Sequence, residues 1–327
     1  MPGKTVFPMP KRLVAIGDLQ GNLQGLEAIL RATRLVSKSG RWAGGEARLV
    51  QLGDIFGRAA DPRGTVKRMH ELGAEARAAG GGVTVLLGNH EAEVVHRYEF
   101  ECDPKEYLSF ATGESLKRWQ HEREKAEESF WELDEDSSLP LENLAKAWEM
   151  LHPLGREEFR AAVGPEGEYG RWIMRLPAVV KVGDIVFSHA GLLPQWAEMG
   201  IDGVNARVRE DMAVDMYFPA LPDGNVLIDP DGPLWTREYA WGKREAERKM
   251  LATLGCMRAS AQVMGHTPTR RSRITARFGG RAIFVDTGIG RPKTGRLSAL
   301  VVEKGAFWAY YPPRERRRIG PVPPPLS

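Results

Sequence analysis

The chain has 327 residues, 42% of them hydrophobic and 27% charged, an ordinary balance for a globular protein that builds one large domain or two small ones. No apolar stretch approaches the ~20 residues of a membrane span, and residues 1–12 carry Lys4, Lys11 and Arg12 without an apolar targeting segment, so a cytoplasmic protein with no membrane partner is expected. The net charge of +3 equals that of Arg314-Glu315-Arg316-Arg317-Arg318 alone, which leaves the rest of the chain formally neutral and argues against a nucleic-acid-binding body.

Residues 12–89 read as strand, helix, strand, helix, strand. Leu23, Leu26, Ile29 and Leu30 give one helical spacing, Val66, Met69 and Leu72 another, and such alternation implies an α/β core. From about residue 92 to 170 the chain turns to long charged segments, including 118–135, with Trp119, Trp131 and Trp148 among them. This stretch reads as a helical insert or cap whose tryptophans pack its helices. Residues 178–187 return to strand alternation, with Gly183-Asp184 as a tight turn and the second strand ending at His189. Residues 203–255 read as helices interrupted by a loop at 219–233, and 261–264, 281–285 and 298–302 as further strands. No linker divides the chain, so 1–311 is expected to be one domain. Residues 312–327, rich in Arg and Pro, are expected to be a disordered tail. Cys102 and Cys256 have no paired spacing and read as reduced.

Five segments carry the chemistry: Gly17-Asp18-Leu19-Gln20-Gly21-Asn22, Gly53-Asp54, Gly88-Asn89-His90-Glu91, Ser188-His189-Ala190-Gly191 and Gly265-His266-Thr267-Pro268. The first three each follow a short strand-like run, and together the five read as one dinuclear metal site. Oxygen and imidazole ligands at strand ends suit hard or borderline divalent ions. Asp54 is the bridging candidate, since a shared carboxylate brings two cations to within about 4 Å. His90-Glu91 with His96 does not have the spacing of a zincin helix, and Gly288 to Gly295 lacks the glycine spacing of a phosphate loop and reads as a turn between strands. His70, His96, His121 and His152 show no partner pattern.

The order GD, GD, GNHE, HAG, GHTP resembles the calcineurin-like metallophosphoesterases of the phosphoprotein phosphatase type. Residues 167–172, 180–191, 232–237 and 286–288 resemble the Shewanella-like protein phosphatases within them, and the likeness spans about residues 12–311. It implies a four-layer αββα sandwich of two mixed sheets, with metals at the sheet edge and the insert as a cap over the cleft. It implies two divalent ions, Mn first and Fe or Zn next. One would take Asp18, Gln20 and Asp54, the other Asp54, Asn89, His189 and His266. The family cleaves a phosphomonoester with a metal-bound hydroxide while the GNHE histidine, here His90, protonates the leaving oxygen. Arg58 matches the phosphate-gripping arginine, and Asn89 also meets substrate. Arg237 is a second phosphate contact or a surface ion pair. Asp286 supports a metal-bound histidine or is a turn residue, and Arg171 reaches the site or caps the insert.

Two departures from the family pattern stand out. Gln20 replaces a usual histidine and gives the first metal a weaker neutral donor. Gly57 replaces the aspartate of GDxxDRG that normally keeps the GNHE histidine protonated, so His90 is expected to be a poorer acid, with activity falling above neutral pH, unless Glu91, Asp61 or another group substitutes. Restoring both, Gln20→His with Gly57→Asp, is expected to raise turnover. The expected substrate is a phosphoprotein, on Ser/Thr or Tyr, or a phosphorylated small molecule. Dinucleoside polyphosphate hydrolysis and a non-catalytic metal- or phosphate-binding module are the alternatives.

Overall fold

The computed structural model describes residues 3–58, 61–100, 102–133, 141–291 and 293–326. Ala59, the expected helical run at 134–135, Pro292 and the side chain of Trp131 lie outside the described residues.

The first half runs β1 (Val6–Phe7), β2 (Arg12–Ile16), α1 (Leu23–Ala32), β3 (Arg48–Gln51), α2 (Pro62–Ala78) and β4 (Gly82–Val85). Helices follow as α3 (Asn89–Val95), α4 (Pro104–Leu108), α5 (Gly113–Leu133), α6 (Leu141–Leu151), α7 (Arg156–Val163) and α8 (Glu168–Ile173). Then come β5 (Val179–Val182), β6 (Ile185–Ser188), α9 (Pro194–Ala197), α10 (Gly200–Met212), α11 (Glu238–Trp241) and α12 (Arg244–Cys256). The chain closes with β7 (Ala261–Met264), β8 (Thr275–Arg277), β9 (Ala282–Phe284), β10 (Ala299–Glu303), β11 (Ala306–Tyr311) and β12 (Glu315–Pro321).

Two six-stranded mixed sheets result, ordered β1-β5-β6-β7-β9-β8 and β12-β11-β10-β2-β3-β4. Alternation along the strands explains why they face each other. Leu13 and Ala15 of β2 join Val50, Val180, Phe187, Val263 and Ile283 in a core between the sheets, while Val14 and Ile16 pack into a second core with Leu26, Ile29 and Leu30 of α1. Strands buried on both faces read as continuous apolar runs, as 13–16 does. This is the sandwich of sheets and outer helices that the resemblance implies.

Topology then places the chemistry. β2, β3 and β4 are mutually parallel, and so are β6, β7 and β9, so within each set all carboxyl ends lie along one edge. Asp18, Asp54, Asn89, His189, His266 and Asp286 each sit within four residues of such an end, the usual position for a site in sheets of this kind.

Two expectations need correction. The segment read as a disordered tail contains β12, which pairs antiparallel with β11 through Trp308↔Arg318 and Tyr310↔Arg316. Without it, the aromatic outer face of β11 would be an open edge. The Arg316 guanidinium lies 3.8 Å from the Trp308 ring centroid, so charged side chains with long apolar stems cover that face. The helical insert also does not roof the cleft. Among its described residues only Glu93 lines the cavity; Phe159 and Tyr169 instead pack edge-on against Phe56, at 6.4 and 6.5 Å, and buttress the loop after β3 from behind. Trp119 and Trp148 pack α5 on α6 as expected, with centroids 5.6 Å apart. Arg171 donates to the carbonyl of Glu166 and stays outside the cavity, so it braces the insert.

Candidate active site

Glu91 organises the site without entering the cavity. Fully buried on the first turn of α3, its carboxylate accepts from the backbone N–H groups of Gly88 at 2.9 Å, Asp54 at 2.8 Å, Ile55 at 2.7 Å and Phe56 at 3.2 Å. It ties the end of β3 to the start of α3 and fixes Asp54 relative to Asn89. The approach is close enough that a Cβ on Gly88 would sit 2.2 Å from Asp54 Oδ1, so only glycine fits there. Asp54, Gln20 and His266 hold left-handed backbone conformations, with φ of 56°, 43° and 59°. Three such residues converging on one cavity mark a site where backbone strain is tolerated for geometry.

Asp54, His189 and His266 each offer a ligand atom, and these lie within 4.8 Å of one another. The Asn89 side-chain oxygen sits between the rings, 3.0 Å from His189 Nε2 and 3.0 Å from His266 Nδ1. His189 Nδ1 lies 2.7 Å from the Leu52 carbonyl, which requires the proton on Nδ1 and leaves the Nε2 lone pair facing Asp54. Burial drives the His189 pKa down to about 4, and burial together with His189 and Arg237 pushes His266 far below the usual range. Both rings are therefore neutral ligands at neutral pH.

The carboxylates are under the opposite stress. Burial, Asp286 and Asp54 raise Asp18 well above the usual carboxylate range, burial lifts Asp54 to about 6, and burial and Asp54 raise Asp286. Crowded anions beside neutral imidazoles, with His266 Nε2 buried and unpartnered, are a donor set that divalent cations fit and relieve. Gln20 lines the cavity beside Asp18. Asp286 receives the Gly288 N–H at 2.8 Å, as a turn residue does, and also lines the cavity.

His90 is expected to be a poorer acid unless another group takes the place of the missing aspartate, and Glu93 stands where such a group would. Gly57 has φ of 76°, and a Cβ there would lie 2.4 Å from His90 Nδ1, so the imidazole occupies the space that a side chain at 57 would need. The ring turns that nitrogen to a different carboxylate, Glu93, whose Oε2 is 3.3 Å away, while Nε2 lies 3.6 Å from Asp54 Oδ2. Burial opposes the imidazolium, but Asp54, Glu93 and Glu91 together outweigh it and raise the His90 pKa to about 9.

Opposite the carboxylates, Arg58, Arg237 and Arg291 line the same cavity, whose volume is about 150 Å³. Arg237 makes no ion pair among the described residues. Its Nη1 donates to Thr267 Oγ1 at 3.2 Å, a neutral anchor that leaves the charge available, which disposes of the surface ion pair reading. Of the ten predicted site residues, all but His189 line this one cavity; His189 lies fully buried behind it. The sequence reading missed Glu93, Arg291 and Trp235. Glu93 stands three residues after His90 on one helix, the spacing that places side chains side by side. Arg291 lies in the Gly288 to Gly295 stretch that lacks the glycine spacing of a phosphate loop and so reads as a plain turn, yet its side chain lines the cavity.

Residues 11–270 match the family model for calcineurin-like phosphoesterases. The chain is 28% identical over 303 residues to Shewanella-like protein phosphatase 2 of Arabidopsis thaliana, covering 88% of this chain and 74% of that protein. It is 24% identical to Shewanella-like protein phosphatase 1 of Plasmodium berghei, covering 85% of this chain and 67% of that protein. Among solved structures, a cold-active protein tyrosine phosphatase superposes with a TM-score of 0.73 at 22% identity, covering 97% of this chain and 81% of that one, a likeness of fold. With the motifs, the sandwich and the carboxylate–imidazole cluster converging on the region the family model spans, this chain belongs to the calcineurin-like phosphoesterases, hydrolases of phosphate esters.

Proposed function

We propose that the chain is a phosphoprotein phosphatase that uses two divalent cations, manganese first among them. The observation that carries this reading is the meeting, in one small cavity, of a carboxylate–imidazole cluster with three arginines, the residues that bind a phosphate dianion best. The relatives' names, protein phosphatases, favour a protein substrate. Asp18, Gln20 and Asp54 would hold one cation and Asp54, Asn89, His189 and His266 the other. Cations there would supply an activated water at neutral pH and neutralise phosphate charge.

The chain's own groups do the rest. Arg58, Arg237 and Arg291 orient the phosphate, and Asn89 meets it. His90 carries the proton that the leaving oxygen needs. Glu93 is a positioning residue: it holds His90 Nδ1–H and leaves Nε2 to face the substrate side. Asp286 would keep a carboxylate at the cavity wall to support bound cations. The free Cys102 and Cys256 support a reducing, cytoplasmic setting.

The test is hydrolysis of para-nitrophenyl phosphate and of phosphopeptides by metal-stripped protein titrated with Mn, with Asp54→Asn as control. Mn-dependent turnover of both, abolished in the control, is expected. Release of nucleoside diphosphates from a dinucleoside tetraphosphate, without peptide turnover, would assign the polyphosphate reaction instead. Bound metal with no turnover of any ester would make the chain a binding module.

A further inference from the structure

A second cavity, of about 460 Å³, adjoins the catalytic one. The two share Pro268 as a ridge, and Arg237 spans them, lining the first while its guanidinium stands 5.1 Å from the Trp241 ring that walls the second. Trp241 is 70% exposed, an unusual state for so large an apolar surface, yet it is firmly held. It ends α11, and the Arg277 guanidinium caps that turn by donating to the carbonyls of Tyr239, Ala240 and Gly242, each at 2.6 Å. An exposed tryptophan on a braced turn beside a catalytic pocket presents a large contact area. On the far wall the Thr269 hydroxyl is buried without a partner, and Arg270 makes no ion pair among the described residues.

We infer that this second cavity is a substrate subsite that takes a large apolar side chain flanking the phosphoresidue of a polypeptide, stacked on Trp241. The inference rests on the phosphoprotein reading and gives it a sequence preference. The catalytic cavity, at about 150 Å³, holds a phosphate and little more. Pro268, shared by the two cavities, gives the group that carries the phosphate a short path into the adjoining volume, which is large enough for a side chain with its own stretch of backbone. The exposed Arg270 is placed to meet backbone carbonyls of that stretch.

The experiment compares kcat/KM for phosphopeptides carrying one tryptophan or leucine at successive positions around the phosphoresidue with that for the all-glycine-flanked peptide. One position should give a preference of about tenfold or more, the scale of a buried aromatic contact. Trp241→Ala should bring that ratio to about one. So should Thr275→Arg, which fills the cavity from an exposed strand and leaves Trp241 itself unchanged. Because the readout is a ratio within each protein, a general fall in activity does not imitate the effect. Peptide turnover with no flank preference, or a preference unchanged in both variants, overturns the subsite while leaving the phosphatase reading intact. Turnover of para-nitrophenyl phosphate but of no peptide overturns both, and a Trp241 dependence confined to dinucleoside polyphosphates would give the cavity to a nucleobase.

Discussion

Replacing Glu93 by Gln keeps the size of the side chain and an acceptor for His90 Nδ1 but removes its charge. The pair is 3.3 Å apart with both side chains nearly buried, 7% and 6% exposed. A charge-assisted bond in such a place contributes about 1.5–3 kcal/mol, or roughly one to two pKa units at about 1.4 kcal/mol each. In the metal-free protein His90, held at about 9 by Asp54, Glu93 and Glu91 together against burial, should fall by about that much. A cation on Asp54 takes up that carboxylate's charge, which makes Glu93 the principal remaining partner of the ring. His90 serves as an acid only while protonated, so the alkaline limb of kcat against pH should move to lower pH in the variant. The loss should also grow with the basicity of the leaving oxygen, because nitrophenolate departs without a proton and an alkoxide does not. A fall of about tenfold or more on alkyl phosphates, against less than about threefold on para-nitrophenyl phosphate, is expected from the usual reach of general acid catalysis. Equal losses across the leaving groups, with an unmoved alkaline limb, would refute the assignment and leave Glu93 a packing residue.

Gly57→Asp should not restore the family pattern but damage the site, since its Cβ would strike His90 Nδ1 at a φ of 76°. A stability loss of about 1–2 kcal/mol from the left-handed backbone alone, read by denaturant unfolding, and lower turnover on alkyl phosphates are expected. Gln20→His is different, because histidine tolerates the left-handed φ of 43° there better than most residues. It should tighten the weaker Mn site, read directly by calorimetric titration. Glu91→Ala strands four backbone donors and should cost about 3 kcal/mol or more, visible as a drop in Tm with or without metal. The metal-free protein should lose stability as pH rises from 6.5 to about 9, since folded His90 binds its proton more tightly than the unfolded chain does and that advantage fades through its folded pKa. The full His90 contribution is about 3 kcal/mol. Below pH 6.5 His90 is protonated in both states and adds no slope; there the buried neutral His189 and His266 lose stability as pH falls, opposed by the raised carboxylates Asp18, Asp54 and Asp286, which gain it. Mn, by neutralising Asp18, Asp54 and Asp286, should raise Tm more at pH 8 than at pH 5, and an equal rise at both would count against the charge strain.

What the sequence made legible was whatever its local pattern carries. Asp18, Asp54, Asn89, His189 and His266 lie just past short apolar runs, and parallel strands bring run ends to one edge, so spacing alone was enough to gather them. The apolar run at 13–16 and the hairpin turn at Gly183 likewise announced the strands around them. β12 was not legible, because Arg316 covers the Trp308 and Tyr310 rings from a strand whose register only the folded sheet sets. A run of arginines and prolines carries the composition of an exposed tail whether or not a neighbour pairs with it. The cap failed for a related reason: charge and tryptophan content marked 92–170 as helical but not which face of the molecule the helices lie against.

The exchange at positions 57 and 93 shows where pattern reading stops. Asking which residue replaces a missing aspartate invites a search near the gap in the motif, at Glu91 or Asp61. Glu91 is consumed by four backbone amides, and Asp61 caps α2 by accepting from Gly64 N–H at 2.7 Å, so neither is free. The empty side chain at 57 lets the ring move into that space, and one turn along α3 then brings Glu93 to Nδ1. The carboxylate has passed from a loop to a helix while the imidazole keeps an anionic partner. If the two positions are linked in this way, Glu93→Ala should be partly relieved by Gly57→Asp, although Gly57→Asp alone is harmful: with the helix carboxylate gone the ring is free to swing back and admit the aspartate. A double-mutant cycle on alkyl phosphate turnover measures this, and strictly additive losses would show that the two residues act independently.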